Sequence, residues 1–379
     1  MRILYTVRDF TPAVGGEVSY MSNLARSIAN RGRDVSVITS TKSSIKRKER
    51  YSNFTVYRIG HIFDILGMPF LNPFKFNKLI NKIRPDLIHT SGVNPFADGT
   101  SILAKINSIP IILTHHGDPN LEKFISRTYI RLEKNLMKYF DVIITSTQEY
   151  RDILQNRGIP SKKIKVIPVG VEWKRFNSVS EREKMELKKE LNVNNEKIIL
   201  FVGGLTKGQL FKRPDYLLKA LSKINRDDII LIMVGRGELL EHYKEFAKKL
   251  GIKNKVLFKN NVSDEELPAY YHISDLFVLP SPSNQEAFGI VLLEAMAAGC
   301  PVITSDKAGG RILIEESDCG FTYNSKNIND LSNKIEELLT NEKMLSEKSL
   351  ISLKHSKNYD WKEIASKVEK VYKCFERKI

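Results

Sequence analysis

The stretch Leu279-Pro-Ser-Pro-Ser-Asn-Gln-Glu-Ala-Phe-Gly-Ile-Val-Leu-Leu-Glu-Ala-Met-Ala-Ala-Gly-Cys-Pro-Val302 reads strand, loop, helix, turn, strand. Phe288-Gly289 opens the helix, so its first backbone amides lack intrahelical partners and form a seat for a phosphate or a sugar hydroxyl. Glu286 stands just before that seat. Glu294 follows eight positions later (294 minus 286), about two turns at roughly 3.6 residues per turn, and interrupts an otherwise apolar and therefore buried face. A buried carboxylate needs hydrogen-bond donors, and vicinal ribose hydroxyls supply two; neighbouring backbone or a basic side chain would satisfy it as well.

The same alternation of short apolar runs with longer amphipathic segments extends in both directions, the pattern of parallel sheets covered by crossover helices. Strands are expected at Ile3–Val7, Val35–Thr39, Phe54–Ile59, Leu87–Thr90, Ile111–Thr114, Val142–Thr145 and Ile164–Pro168, with helices such as Val18–Asn30 and Leu121–Tyr139 between them. Further strands are expected at Ile198–Gly203, Ile229–Gly235, Val256–Phe258, Leu276–Leu279 and Val302–Thr304. A linker over Glu172–Asn192 sets a boundary near residue 175, giving domains over 1–175 and 176–359. The tail 360–379 is an amphipathic helix with Trp361, Ile364, Val368 and Val371 on one face, expected to pack back on the first domain. Each half has a strand ending near a glycine pair, Gly15-Gly16 and Gly203-Gly204, which suggests two doubly wound sheets facing across a cleft. Tight turns alone would also account for either pair.

A chain of 379 residues exceeds what one core usually serves. With 42% hydrophobic and 27% charged residues the composition excludes a disordered or collagen-like chain. The excess of 60 Lys and Arg over 44 Asp and Glu, +16, points to an anionic partner: nucleotide phosphates, nucleic acid or a membrane surface. Cys300, Cys319 and Cys374 form no CxxC pair, which argues against a disulfide framework or a cysteine zinc site and fits a reducing cytoplasm. No apolar run approaches the length of a membrane span.

Glu286-x7-Glu294 inside EAFGIVLLEAMAAGCPV resembles the signature of the family-4 retaining glycosyltransferases of the GT-B fold. Other segments agree in order: Gly15-Gly16-Glu17, His116-Gly117-Asp118, Ile167-Pro-Val-Gly-Val171, Phe201-Val-Gly-Gly-Leu205 with Lys212, Val234-Gly-Arg-Gly237 and Ser274-Asp-Leu-Phe-Val278. The resemblance implies a GT-B architecture, two Rossmann-like α/β domains, with a nucleotide-sugar donor on the C-terminal domain and the acceptor on the N-terminal one. It implies that Glu294 holds the ribose and that Glu286 contacts the donor sugar, while Phe288, Gly289 and Ile290 offer amides. Gly204, Gly235 and Arg236 fall in the same donor-binding set. Lys212 and Lys207 would neutralise the departing diphosphate, since a fixed cation in a water-poor site contributes strongly to such a step. Where many members carry an Arg, this chain has Gly204, so the usual Arg-Lys pair is incomplete. His116 is expected to position the reacting centre, although adjacent histidines could equally bond locally. Gly15, Gly16 and Asp118 are the acceptor and phosphate-loop candidates.

No Asp recurs two positions after another, so the carboxylate pair of metal-dependent sugar transferases is absent, and catalysis without metal or other cofactor is expected. Walker, GxGxxG, GxSxG and HExxH patterns are absent too. The basic run Lys42–Arg50 followed by the apolar Ile62–Phe76 resembles a membrane-surface patch, consistent with a cytoplasmic protein docking on an anionic leaflet to reach a lipid-linked acceptor. The expected reaction is retaining transfer of a hexose from a nucleotide diphosphate sugar to a saccharide or lipid-linked acceptor. The rivals are a GT-B nucleotide-sugar epimerase and a basic nucleic-acid-binding protein, the latter without any recognised reading motif.

Overall fold

The Ile-, Val- and Leu-rich runs become strands buried on both faces, as parallel sheets under crossover helices require. The computed structural model describes residues 1–13, 15–40, 46–51, 53–60, 64–65, 68–69, 71–117, 135–283 and 285–376. The chain divides into unit 1, Met1–Val169 with Trp361–Ile379, and unit 2, Gly170–Asp360.

Unit 1 begins β1 (Arg2–Val7), α1 (Gly16–Asn30), β2 (Asp34–Ser40), β3 (Lys48–Tyr51) and β4 (Phe54–Ile59). The two-residue strands β5 (Asp64–Ile65) and β6 (Met68–Pro69) precede α2 (Pro73–Ile83), β7 (Leu87–Ser91), α3 (Pro95–Ile106) and β8 (Ile111–His115). Then come β9 (Val142–Thr145), α4 (Gln148–Asn156) and β10 (Ile164–Val166). Eight strands form one sheet in the order β10-β9-β8-β7-β1-β2-β4-β3, parallel except for β3 against β4. The direction of winding reverses beside β1, whose residues pair with β2 on one side and β7 on the other. Helix starts are locally encoded: Asn72, Asn94 and Thr147 accept hydrogen bonds from the Lys75, Ala97 and Tyr150 amides, with Pro73 and Pro95 following the two asparagines.

Unit 2 begins α5 (Trp173–Asn177), α6 (Glu181–Leu191), β11 (Lys197–Val202), α7 (Pro214–Leu221) and β12 (Ile229–Val234). It continues α8 (Leu240–Lys249), β13 (Val256–Lys259), α9 (Leu267–His272), β14 (Leu276–Leu279), α10 (Ile290–Ala297) and β15 (Val302–Ser305). It ends α11 (Arg311–Ser317), β16 (Gly320–Tyr323), α12 (Ile328–Thr340) and α13 (Glu342–Ser356). Its sheet is parallel throughout in the order β13-β12-β11-β14-β15-β16, the doubly wound order with its switch point between β11 and β14. Ser180 and Glu183 close a reciprocal capping box at the start of α6.

The final helix, α14 (Trp361–Lys373), belongs to unit 1. Trp361, Ile364, Val368 and Val371 are buried, as are Ala365 and Tyr372. Glu369 clasps Arg31 and Arg33, at 2.8 and 2.7 Å, tying α14 to the end of α1.

Several segments differ from the sequence expectation. The chain leaves unit 1 after Val169 rather than near 175, because the Val171 amide donates to the Tyr359 carbonyl at 2.8 Å and so belongs to unit 2. The basic run ends in the edge strand β3, where no strand was expected. The apolar stretch to Phe76 runs into α2, whose Asn72-Pro73 start was the overlooked signal; Phe76 is fully buried while Phe74 is 83% exposed. The strand β16 was not anticipated. Its Gly320 lets it lie close to β15, since a Cβ there would fall 1.8 Å from the Val302 carbonyl oxygen. Of the expected helix Leu121–Tyr139, residues 121–134 lie outside the described residues, and Met137–Tyr139 is a single 3-10 turn.

Candidate active site

In unit 2 the loops after β11 and β14 flank the switch point, where parallel α/β sheets bind ligands. The loop after β11 ends in the 3-10 segment Lys207–Lys212, anchored by the Ser281 hydroxyl donating to the Phe211 carbonyl at 2.9 Å. Gly203 gives the Lys212 stem its path, since a Cβ there would come 3.0 Å from Lys212 Cδ. Lys212 Nζ thereby stands 3.7 Å from Glu286 Oε2, both side chains being mostly buried. That is ion-pair distance but too long for a hydrogen bond, and Glu286 Oε2 has no hydrogen-bond partner among the described residues. An acceptor left in this state is set for a donor from elsewhere.

Gly289, at φ +79°, turns the chain into α10, and no side chain caps that helix. Phe288 is buried and packs against Tyr359, fixing the loop from below. Gly309 completes the turn, because its amide donates to the Glu286 carbonyl at 2.9 Å and a Cβ on it would fall 1.9 Å from the Ala287 oxygen. One helix turn beyond Ile290, Glu294 accepts a hydrogen bond from the Tyr271 hydroxyl at 2.8 Å. Burial pushes the Glu294 carboxyl above the ordinary carboxylate range, opposed by the Tyr271 hydroxyl and by the charges of Arg175 and Lys212. The second glycine cluster is a contact of main chain with main chain: a Cβ on Gly235 would lie 1.9 Å from the Gly203 oxygen.

Lys212, Glu286, Phe288, Gly289, Ile290 and Glu294 are thus gathered at one end of the sheet, with Gly203 and Gly204 beside them. Lys207 and Arg236 are exposed; the Lys207 amide donates to Glu238 at 2.8 Å and the Arg236 carbonyl accepts the Leu205 amide at 2.9 Å. At the position where many family members carry the arginine, the Gly204 amide donates to Gln209 Oε1 at 2.9 Å. A Cβ on Gly204 would meet that same oxygen at 2.6 Å, so glycine here and glutamine five residues on go together. Tyr271, Arg175 and Gly309 had no local sequence signal, because each acts on a residue brought near only by the fold.

In unit 1 the equivalent region is the carboxyl end of β1, β7 and β8. Gly15 and Gly16 are exposed at the start of α1, which no side chain caps. His116 Nε2 lies 2.9 Å from the Ser91 hydroxyl, and its ring meets the edge of Tyr20 at a centroid distance of 4.8 Å. Burial, reinforced by His115, pushes the His116 imidazole down to about 3, so it is neutral at ordinary pH. His115 is fully buried, and its Nδ1 accepts the Gly117 amide at 3.2 Å, the local role open to a strand-end histidine. Asp118 lies outside the described residues. Glu17, quoted in the sequence motif but given no role there, sits beside Ser91 and Gly92.

These two units define a class. Residues 14–175 match the family described as Glycosyltransferase Family 4, and residues 183–350 match Glycosyl transferases group 1. The structure of Anabaena HepE in complex with UDP-glucose superposes with a TM-score of 0.81 at 20% identity, covering 99% of this chain and 100% of that one. The chain is a glycosyltransferase of the GT-B class. Among curated relatives, an uncharacterised glycosyltransferase of Methanocaldococcus jannaschii is 28% identical, over 98% of each chain. The alpha-monoglucosyldiacylglycerol synthase of Streptococcus pneumoniae is 26% identical, over 92% of this chain and 81% of the relative. Neither the epimerase nor the nucleic-acid reading is favoured by these relationships. Among the described residues no group of three His, Cys, Asp or Glu is placed to hold a metal ion, and no helix is long and apolar enough to cross a membrane.

Proposed function

We propose that the enzyme moves a hexose from a nucleotide diphosphate sugar to a carbohydrate or lipid-linked acceptor, with retention at the anomeric carbon and without a metal ion. The observation that carries this reading is the Lys212–Glu286 pair beside the uncapped start of α10, with Glu294 one turn into that helix. Lys212 and the helix amides supply the positive field that a leaving diphosphate needs. Glu286 takes a hydroxyl of the donor sugar, and Glu294 takes the ribose. In a front-face route the leaving diphosphate itself accepts the proton of the incoming hydroxyl, so no separate protein base is needed, and neutral His116 orients rather than abstracts. A structural neighbour solved with UDP-glucose supports the donor class.

A lipid-linked acceptor is supported by the relative named for making monoglucosyldiacylglycerol and by the surface of unit 1. Phe74 is 83% and Ile106 70% exposed, and exposed Lys75, Lys78 and Lys82 lie on the same helix as Phe74. Inserted apolar side chains with adjacent cations are the requirements of peripheral binding to an anionic leaflet. Residues 41–45 and the side chains of 61–70, also invoked for this patch, lie outside the described residues.

One incubation tests the proposal: UDP-, GDP- and ADP-glucose with a chelator present, using methyl α-glucoside and dioleoylglycerol in anionic vesicles as acceptors. The product is identified by mass and by its anomeric proton coupling. An α-linked product, formed with chelator and co-sedimenting enzyme in low salt, is expected. An inverted linkage, or transfer only on adding a divalent ion, contradicts the mechanism.

A further inference from the structure

The proposed reaction leaves one buried carboxylate without a task. Glu17 lies in the first turn of α1, where an acidic side chain normally gains from the helix dipole while staying in water. This one turns inward. Its Oε1 is fully buried and has no hydrogen-bond partner among the described residues. Burial pushes its carboxyl above the ordinary range, with the charge of Arg8 and the Ser91 hydroxyl opposing and Asp9 adding to the shift. A dipole-complementing glutamate would not give up its solvation, so the dipole does not explain this placement.

The surroundings are built to keep the carboxylate there. Gly92, at φ +77°, opens the loop after β7, and a Cβ on it would come 2.5 Å from Glu17 Oε1 and 2.9 Å from Asn94 Nδ2. The Gly92 amide donates to the Thr114 carbonyl at 3.0 Å, fixing the loop to β8, and Asn94 caps α3 through the Ala97 amide. Ser91, next in line, faces the His116 imidazole at 2.9 Å. The nearby cation, Arg8, is already held by Asp9 at 2.7 Å. An ionised carboxylate can only accept hydrogen bonds, and it repels phosphate and carboxylate groups. What it can take at this sheet end is a hydrogen-bond donor, and in the proposed transfer the donor at hand is an acceptor hydroxyl.

We infer that Glu17 binds a hydroxyl of the acceptor, with Ser91 and Gly92 as its seat, and so selects a neutral polyol end over an anionic one. This rests on the proposed transfer reaction. Glu17→Gln and Glu17→Ala are compared with the wild type using UDP-, GDP- and ADP-glucose as donors and methyl α-glucoside and dioleoylglycerol vesicles as acceptors. The expected result is an acceptor KM raised about tenfold or more, because a site built to bond a hydroxyl discriminates strongly. The donor dissociation constant stays within twofold, and the ligand-free melting temperature at pH 8 is unchanged or higher, since an unpartnered buried charge has been removed. An unchanged acceptor KM in both variants, or a lowered melting temperature with KM unaltered, overturns the inference and makes Glu17 a structural residue. A wild type that transfers to neither acceptor overturns the proposed reaction and this inference together, whereas a failure confined to Glu17 leaves the reaction standing.

Discussion

Three carboxylates share a physical condition: Glu286 and Glu17 each bury an oxygen without a partner, and Glu294 is desolvated with a single tyrosine hydroxyl for company. Such groups cost the folded protein stability, and they cluster where ligands complete them. For Glu294 the sign follows from linkage. Its folded pKa is raised, so between the unfolded and folded values the native state holds the extra proton, and stability falls as pH rises through that window. Glu294→Gln is therefore expected to raise the ligand-free melting temperature at pH 8 and to leave it unchanged near pH 4. Nucleoside diphosphate affinity should fall about tenfold or more, the worth of a hydrogen bond to a charged group. Parallel melting curves and titrations read both; a lower melting temperature at pH 8 contradicts it. Glu286 and Glu294 were legible because their spacing and apolar setting are local. Ser91 and Tyr271 were not, since 25 residues separate Ser91 from His116 (116 minus 91) and 23 separate Tyr271 from Glu294 (294 minus 271), and only the fold joins them.

At the scale of elements, α14 does more than cover an apolar face. The Tyr372 hydroxyl bonds the Tyr5 hydroxyl at 2.9 Å and His89 Nδ1, and His89 Nε2 reaches the Thr114 hydroxyl at 2.7 Å. This buried chain runs from the last helix to β1, β7 and β8, the strands whose ends carry His116 and Ser91. Tyr372→Phe leaves two buried polar groups short of a partner and should cost about 1–3 kcal/mol in denaturant unfolding; a loss within error of zero contradicts it. Burial pushes His89 down to about 3, so the unfolded chain takes up its proton first. Stability contributed by neutral His89 is complete above about pH 6.5 and is lost toward pH 3, by up to roughly 1.4 kcal/mol per pH unit. The helix and its apolar face were readable from their 3.6-residue spacing, and most strands from their apolar runs. The short strands β3 and β16 were not: Lys48-Glu-Arg-Tyr51 has no apolar run, and β16 depends on Gly320 fitting under Val302.

On the proposed reading the two units divide the chemistry, with basic and amide groups for a diphosphate in unit 2 and hydroxyl-accepting groups in unit 1. The net charge of +16 suits an enzyme with anionic donors and, on the proposed reading, an anionic surface nearby. The central claim is that Lys212 and Glu294 hold the nucleotide sugar at the switch point of the unit 2 sheet. Calorimetric titration of UDP-, GDP- and ADP-glucose into the wild type, Lys212→Ala and Glu294→Ala tests it most directly. The account predicts that at least one donor binds the wild type and that its dissociation constant rises about tenfold or more in each variant. Binding that is equally tight in all three proteins, or no binding of any nucleotide sugar to the wild type, would contradict it.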